Sequence, residues 1–549
     1  MAESHPVTRP TVEDIDESES EGEAEEAVDT PAAAEHDTSA PAKKKKKKSK
    51  KAKVASALGL NPSLESTKPA AKMSDANLQK VLEANPALKS EFANSSPEDV
   101  QKTLRGMNLE QLLTGMSLTN KNQKDMASYK FWSTQPVPRL DESNSDRLKI
   151  PDGPIKEVEK DKVPQTPAPL PEGYEWVELD LTDEQELDEV HSLLNLHYVE
   201  DDKAMFRFAY SRPFLDWALK APGWRKSWHV GVRAKGKSNL LVATIFGIPT
   251  KLRVRENVFE VAEINYLCIH KKLRSKRLAP VLIKEVTRKC YLEGVYQAIY
   301  TGGTILPTPV STCRYYHRPL QWPKLHDVGF SPLPPKMTPS MMIKRNRVPA
   351  QTSTSGWREM EEKDVDDVLS LLSRYLKRFQ LTQEFTREEI EHWFLNRQKK
   401  AEDRVVWAYV VEEAGKGTIT DFASFYNLES TILGDQNPQK PKHDKIKAAY
   451  SFYYATTAAF EVKEKGLKQR VQGLMSDCLV EAKNAGFDVF NALTLLDNPL
   501  FLEELKFGAG DGQLHYYLYN WRTAPIMGGV DKKNLPDEKC RYGMGMVML

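Results

Sequence analysis

The chain has 549 residues, more than one ordinary domain holds; a length prior of about 150 residues per unit gives roughly three to four units. Its 78 Lys and Arg against 77 Asp and Glu leave a net charge of +1, so global charge argues neither for nor against a nucleic-acid partner. Five cysteines with no CxxC pair and no metal-ligand spacing exclude a disulfide framework, and with no signal peptide they read as reduced cytosolic thiols. No run approaches the ~18 apolar residues of a membrane-spanning helix. The Met-Ala-Glu start and the missing Cys-a-a-X box give no lipidation signal.

Residues 13–27 are acidic and nearly free of large apolar side chains, and Lys43 to Lys48 is an unbroken lysine run continued by Lys50, Lys51 and Lys53. Such stretches bury too little apolar surface to offset chain entropy, so residues 1 to about 80 are expected to be disordered. A weak helical pattern follows near 76–115. The whole of 1–115 reads as an acidic and polylysine tail, either inert or attracted to phosphate as on RNA or a ribosome.

Beyond residue 170 the pattern becomes that of packed elements. Trp176 is followed by a helix with the capping spacing Thr182-x-x-Gln185 before Leu187, Val190, Leu193 and Leu194. A second helix is expected near Arg212–Leu219, then the strands NLLVATIFGI and VFEVAEINYLCI. A cationic run comes next, five of the seven residues from Lys271 to Arg277 being basic, and then a helical pattern through Ala279, Val281, Leu282 and Val286. The strand YQAIYT closes this half.

Charge runs are ordinarily solvated surface turns. Here the charge sits between a very apolar strand and an apolar helix, where a chain builds a phosphate seat. Backbone N–H groups, the helix macrodipole and Lys/Arg side chains then point at one anion. No Gly-rich run precedes a Lys-Ser/Thr pair, so this is not a Walker loop. It suggests a pyrophosphate-bearing molecule on a long arm.

The second half repeats the order of parts. Trp357 precedes a helix in EKDVDDVLSLLSRYLKRF, and Thr386-x-x-Glu389 caps another that carries Trp393. The strands VVWAYVVE, TDFASFYNL and AAYSFYYA follow, then the helix LKQRVQGLMSDCLVEAKNAG and the strand VFNALTLL. Two copies of one mixed α/β unit, joined in a continuous sheet, are therefore expected, with the Pro-rich stretch 331–340 as hinge. The second copy's loop, Lys463 to Gly466, carries less positive charge.

Four more segments combine aromatic and polar residues: YKFWSTQPV (129–137), HYVEDDKAMFRFAYS (197–211), TCRYYHRPL (312–320) and GAGDGQLHYYLYNW (508–521), the last read as a Gly-rich turn leading into a strand. The chain ends in the apolar run Met546 to Leu549 after Gly543 and Gly545. A terminus is normally polar and frayed; this one reads as a strand driven into the core.

The basic loop has the spacing of the pyrophosphate loop of acyl-CoA N-acyltransferases, read as Arg274-x-x-Arg277-x-Ala279, with Arg277 where that pattern has Gly. Together with EINYLCIHKKLRSKRLAP and GMGMVML, the segments closely resemble the eukaryotic glycylpeptide N-tetradecanoyltransferase (N-myristoyltransferase) family over about residues 115–549. The resemblance implies an α/β fold of two acyl-CoA N-acyltransferase-like copies in a pseudo-twofold arrangement. It implies an acyltransferase that moves a C14 group from myristoyl-CoA, a co-substrate rather than a permanent cofactor, to the N-terminal glycine of proteins. Residues 116–340 would hold myristoyl-CoA, and 341–549 would form the peptide groove and supply the catalytic terminus.

By the same resemblance, the backbone N–H groups of Tyr266 and Leu267 form an oxyanion hole, Tyr standing where Phe is commoner, and Asn265 and Thr301 lie near the incoming amine. Ser275, Lys276, Arg277, Leu278, Ala279 and Pro280 bind the CoA phosphates. Tyr129, Lys130, Phe131 and Trp132 close over the nucleotide and pantetheine, with Cys268 and Ile269 also on the cofactor. The peptide meets Tyr198, Asp201, Phe206, Phe208, Tyr210, His317, Ser424 and Asp511, and Lys203 stands where Asp is frequent. The Leu549 carboxylate takes the proton from the glycine ammonium. No metal, no DNA partner and no transmembrane segment are expected; a cytoplasmic monomer is, with ribosomes as a partner of the lysine tail. Another CoA-dependent N-acyltransferase and a non-catalytic acyl-CoA-binding adaptor remain as alternative readings.

Overall fold

The computed structural model describes residues 129–139, 151–200, 205–236, 239–433 and 443–549. The tail, the helical pattern at 76–115, Asp201 and Lys203 lie outside them. From Lys130 onward the described residues belong to one compact unit; Tyr129 is grouped with the segment before it. No helix among the described residues is long and apolar enough to cross a membrane.

In chain order the elements of the first half are β1 (Tyr174–Glu178), α1 (Glu184–His197), β2 (Phe206–Ala209), α2 (Arg212–Leu219), β3 (His229–Ala234), β4 (Leu241–Val254), β5 (Asn257–Ile269), α3 (Leu278–Leu292), β6 (Ala298–Gly302) and β7 (Ser311–Pro319). α4 (Trp322–Asp327) and α5 (Pro339–Arg345) flank the Pro-rich stretch. The second half contains β8 (Trp357–Glu359), α6 (Val365–Leu376), β9 (Leu381–Gln383), α7 (Arg387–Phe394), β10 (Val406–Glu412), β11 (Ile419–Asn427), β12 (Glu429–Ile432), β13 (Lys445–Ile446), β14 (Ala448–Thr456), α8 (Leu467–Asn484), β15 (Val489–Leu493) and β16 (Gly508–Tyr519).

A 13-stranded mixed sheet runs β1-β3-β4-β5-β6-β16-β7-β15-β14-β11-β10-β8, with β9 on β4. The order is close to a palindrome. β5 pairs parallel with β6 across the crossover helix α3, and β14 pairs parallel with β15 across α8. The centre holds an exchange: β16 of the second half pairs with β6 of the first, and β7 of the first pairs with β15 of the second. β16 and β7 then pair with each other. Each half thus completes the other's sheet, the expected continuous sheet with an exchange that strand patterns alone do not announce.

The period of two along β5 divides its side chains between two cores. Val261, Tyr266 and Cys268 enter the main core shared by both halves. Ala262, Ile264, Leu267 and Ile269 face a second core under α3, with Leu282, Val286 and Cys290.

Three expectations are corrected. α1 is capped by Asp183, whose carboxylate accepts from Gln185 N–H at 2.7 Å, while Thr182 turns back to Asp180. The expected capping box of α7 is present, Thr386 and Glu389 bonding reciprocally at 3.2 and 2.7 Å. The GAGDG stretch is no turn but the start of β16, with a register shift between Ala509 and Gln513. A Cβ on Gly510 would lie 2.4 Å from His317 Nε2, so only glycine fits there. The terminal run is buried but is not a strand. Only Met544 bridges, to Leu381. Beyond it, tyrosine side chains replace a ladder: Tyr516 Oη donates to Met546 O at 3.2 Å, and Val547 N–H donates to Tyr453 Oη at 3.0 Å. Gly545 is needed because a Cβ would come within 2.7 Å of Phe379 and Thr382.

Candidate active site

β5 and β6 part company at one point. Their parallel pairing runs Ala262↔Ala298, Glu263↔Ile299, Ile264↔Tyr300 and stops. The next positions, Asn265 and Thr301, stand on the two lips of the opening. On its other edge β5 bulges against β4: Thr244 faces Cys268 and Phe246 faces Asn265, so Ile245 stands opposite both Tyr266 and Leu267. Tyr266 has φ of 53°, the left-handed region that a β-bulge tolerates. Its carbonyl accepts from Thr244 Oγ1 at 3.1 Å. The bulge and the opening coincide at the residues expected to supply the oxyanion donors.

The basic loop leaves the end of this strand. Lys271 and Arg274 are engaged internally, with Glu200 at 2.6 Å and with the His197 carbonyl. Ser275, Lys276 and Arg277 are exposed where α3 begins. Ser275 and Arg277 have φ of 68° and 58°. Arg277 is the N-cap, without a side-chain cap bond, and the first turn of Leu278, Ala279 and Pro280 carries no acid. The position where the acyltransferase pattern has Gly is thus one that favours glycine conformationally.

Trp132 is buried and stacks on Tyr300, centroids 5.5 Å apart and planes at 9°; Tyr300 stacks in turn on Tyr517. Phe131 meets Trp132 edge-on, so the segment from Lys130 lies against β6. Cys268 points away from this side into the main core, where burial pushes its thiol up to about 12. It is no nucleophile near neutral pH. Ile269 faces the α3 side.

On the main-core face, Tyr198, Tyr210 and Tyr266 form one cluster with centroids 5.4–5.9 Å apart, and Phe208 joins Tyr210 at 5.9 Å. Phe206 packs on Phe330, which packs on His317. His317 Nδ1 is 2.7 Å from Asn491 Oδ1, and burial lowers its pKa. Asp511 is exposed on β16. The Ser424 hydroxyl donates to Tyr453 O at 2.7 Å and is buried. Leu549 is half-buried against the main core.

Residues that sequence reasoning missed complete the picture. β14 and β15 also separate, beyond Tyr450↔Asn491. The shallow recess there is lined by Tyr315, Tyr426, Tyr450, Asn491, Val547 and Met548. The terminal segment therefore lines the second copy's opening. Glu263 was also missed; burial pushes its carboxyl up to about 7. Its signal was an acid inside an apolar strand.

The family model described as "Myristoyl-CoA:protein N-myristoyltransferase, N-terminal domain" matches residues 154–313, and that of the C-terminal domain matches 327–547. A glycylpeptide N-tetradecanoyltransferase of Aspergillus fumigatus is 60% identical over 471 residues, covering 86% of this chain and 94% of that protein. One from Candida albicans is 48% identical, covering 83% and 98%. The crystal structure of Saccharomyces cerevisiae N-myristoyltransferase with bound myristoyl-CoA is 46% identical, with a TM-score of 0.73 over 77% of this chain and 100% of that one.

Proposed function

Because this chain belongs to the myristoyl-CoA:protein N-myristoyltransferase family, we propose that it moves a C14 acyl group from myristoyl-CoA to the N-terminal glycine amine of substrate proteins, releasing CoA. The observation that carries the reading is the coincidence on β5 of three things: the Tyr266–Leu267 bulge, the end of pairing with β6, and the basic start of α3 directly after the strand.

The first half takes the acyl-CoA. Ser275, Lys276, Arg277 and the backbone N–H groups of Leu278 and Ala279 face the phosphates, with Pro280 beside them, each charge-assisted bond contributing about 1.5–3 kcal/mol. Lys130, Phe131 and Trp132, with Tyr129 before them, cover the pantetheine side. The thioester carbonyl lies at the bulge. Amine attack makes a tetrahedral oxyanion, and the Tyr266 and Leu267 N–H groups stabilise it by about 2.7–4 kcal/mol each. The peptide lies along Tyr198, Phe206, Phe208, Tyr210, His317 and Asp511, with Ser424 behind it.

The Leu549 carboxylate accepts the proton of the glycine ammonium, and Asn265 and Thr301 hold the amine. An α-carboxyl near ~3.5 and an α-amine near ~8 are mismatched by about 4 units, or about 5–6 kcal/mol. Burial of both narrows the gap from both sides. The test is to bind labelled myristoyl-CoA to the purified chain and then add a glycyl peptide. Acylated peptide with a blocked N-terminal amine is the expected product. Binding without transfer would favour the adaptor reading, and equal transfer from acetyl-CoA a general N-acyltransferase.

A further inference from the structure

Glu263 is a half-buried acid on β5, two residues before Asn265 at the opening. It faces Ile299 across the parallel pair and Ile248 across the antiparallel one, both apolar. Its described hydrogen bond is from Asn265 Nδ2 to Oε1 at 2.7 Å. Among the described residues no ion pair reaches it; burial raises its carboxyl and the Asn265 bond opposes that rise. The charge of Glu263 reaches Tyr266 on its own strand and Tyr453 on β14, and Tyr453 in turn accepts from Val547 N–H of the terminal segment; Thr301 lies two residues beyond Ile299 on β6. The charge of Glu389 on α7 also reaches Tyr453.

Leaving a carboxylate in such a place without a counter-ion is costly, and a leucine would pack as well. Its position explains its presence. Glu263, Asn265 and Thr301 lie on one face of the two strands, two residues apart along β5 and at the register step where the strands open. That is also where the amine must lose a proton in the acyl-transfer reading above, on which this inference rests.

We propose that Glu263 is the residue on which the proton released by the substrate ammonium comes to rest, and that Asn265 positions it. One proton leaves the glycine ammonium and ends on Glu263. The amine lone pair forms the C–N bond. The C–S bond breaks with its electron pair going to sulfur, and the second amine proton goes to that thiolate to give free CoA. Glu263 returns its proton to solvent between turnovers. The magnitudes favour this route. Passing a proton from an amine near ~8 to a carboxylate near ~3.5 is uphill by about 4 units. An acceptor held at about 7 cuts that to roughly one unit, a gain of about a thousandfold in the equilibrium.

The test uses the full chain, myristoyl-CoA and a glycyl octapeptide. Wild-type kcat should rise from pH 6 to 8 as Glu263 ionises. E263Q should lose that rise and at least tenfold in kcat, with the Kd for myristoyl-CoA within twofold of wild type. E263D should recover part of the rate, with its rising limb moved to lower pH. A second readout is independent of turnover. A carboxyl pKa raised in the folded state removes stability as pH rises through it, so the Tm advantage of E263Q over wild type should grow from pH 5 to pH 8. Unchanged kcat and pH profile in E263Q would overturn the proposal, as would a parallel loss of acyl-CoA affinity and Tm. If extending the chain beyond Leu549 stops turnover and E263Q does not, this inference fails and the terminal-carboxylate reading stands; the reverse result sinks that reading and keeps Glu263.

Discussion

Arg277 allows backbone strain and anion binding to be separated at one residue. Its φ of 58° and ψ of 25° lie in the left-handed region, which costs a non-glycine residue about 1–2 kcal/mol. Glycine escapes that cost but gives back about 0.5–1 kcal/mol of unfolded-chain entropy. R277G and R277A both delete the guanidinium, so comparing them isolates the backbone. R277G should be the more stable of the two by about 0.5–1 kcal/mol by urea denaturation. Both should lose the same affinity for myristoyl-CoA. One charge-assisted phosphate contact of about 1.5–3 kcal/mol corresponds to roughly 10- to 150-fold in Kd by calorimetry. KM for the peptide should move little. Equal stability of the two variants would refute the strain argument. Unchanged acyl-CoA affinity in both would show that the loop is a solvated face.

Two further outcomes follow from the packing. Asp497 is fully buried and accepts from Tyr375, from Arg378 at 2.6 Å and from Arg541 at 2.8 Å, while Glu464 bonds both arginines as well. D497A leaves two largely buried guanidinium groups short of a partner and should cost about 3–5 kcal/mol; because Arg541 anchors the terminal segment, kcat should fall more than acyl-CoA affinity. A denaturation midpoint within error of wild type would show that this cluster holds nothing. Deleting residues 1–100 should leave kcat/KM for a short peptide within tenfold, since all the assigned side chains lie beyond it, and should weaken salt-sensitive binding to polyanions such as ribosomes.

Much of the architecture was legible because its signals are local. The α7 capping box, the α2 bounds, the strand–basic loop–helix succession and the repeat of parts all depend on residues near each other in sequence. What was not legible depends on neighbours supplied by the fold. Alternation along β7 and β16 does not say that each is paired into the other half. Asp183 outcompeted Thr182 as a cap although both residue types suit the role. The terminal run looked like a strand because it is apolar and buried, but its backbone is satisfied by Tyr453 and Tyr516, which no pattern within the run reveals. That Cys268 turns to the main core is set by the bulge at Tyr266, which decides the face of each later residue of β5 and which spacing alone does not show. Tyr315, Tyr426, Tyr450 and Asn491 meet only where β14 and β15 separate. A lone acid in a strand, Glu263 gains meaning only from the point where β5 and β6 stop pairing, which its own neighbours in sequence do not reveal.

The most direct test of the proposed chemistry is a single-turnover experiment on enzyme preloaded with labelled myristoyl-CoA, comparing the chain ending at Leu549 with one extended by a short Gly-Ser segment. Removing a general base costs about 10²–10⁴ in rate. The extended chain should bind myristoyl-CoA normally and form acylated glycyl peptide at least tenfold more slowly. An extended chain that transfers the acyl group at the full rate would contradict the assignment of the terminal carboxylate.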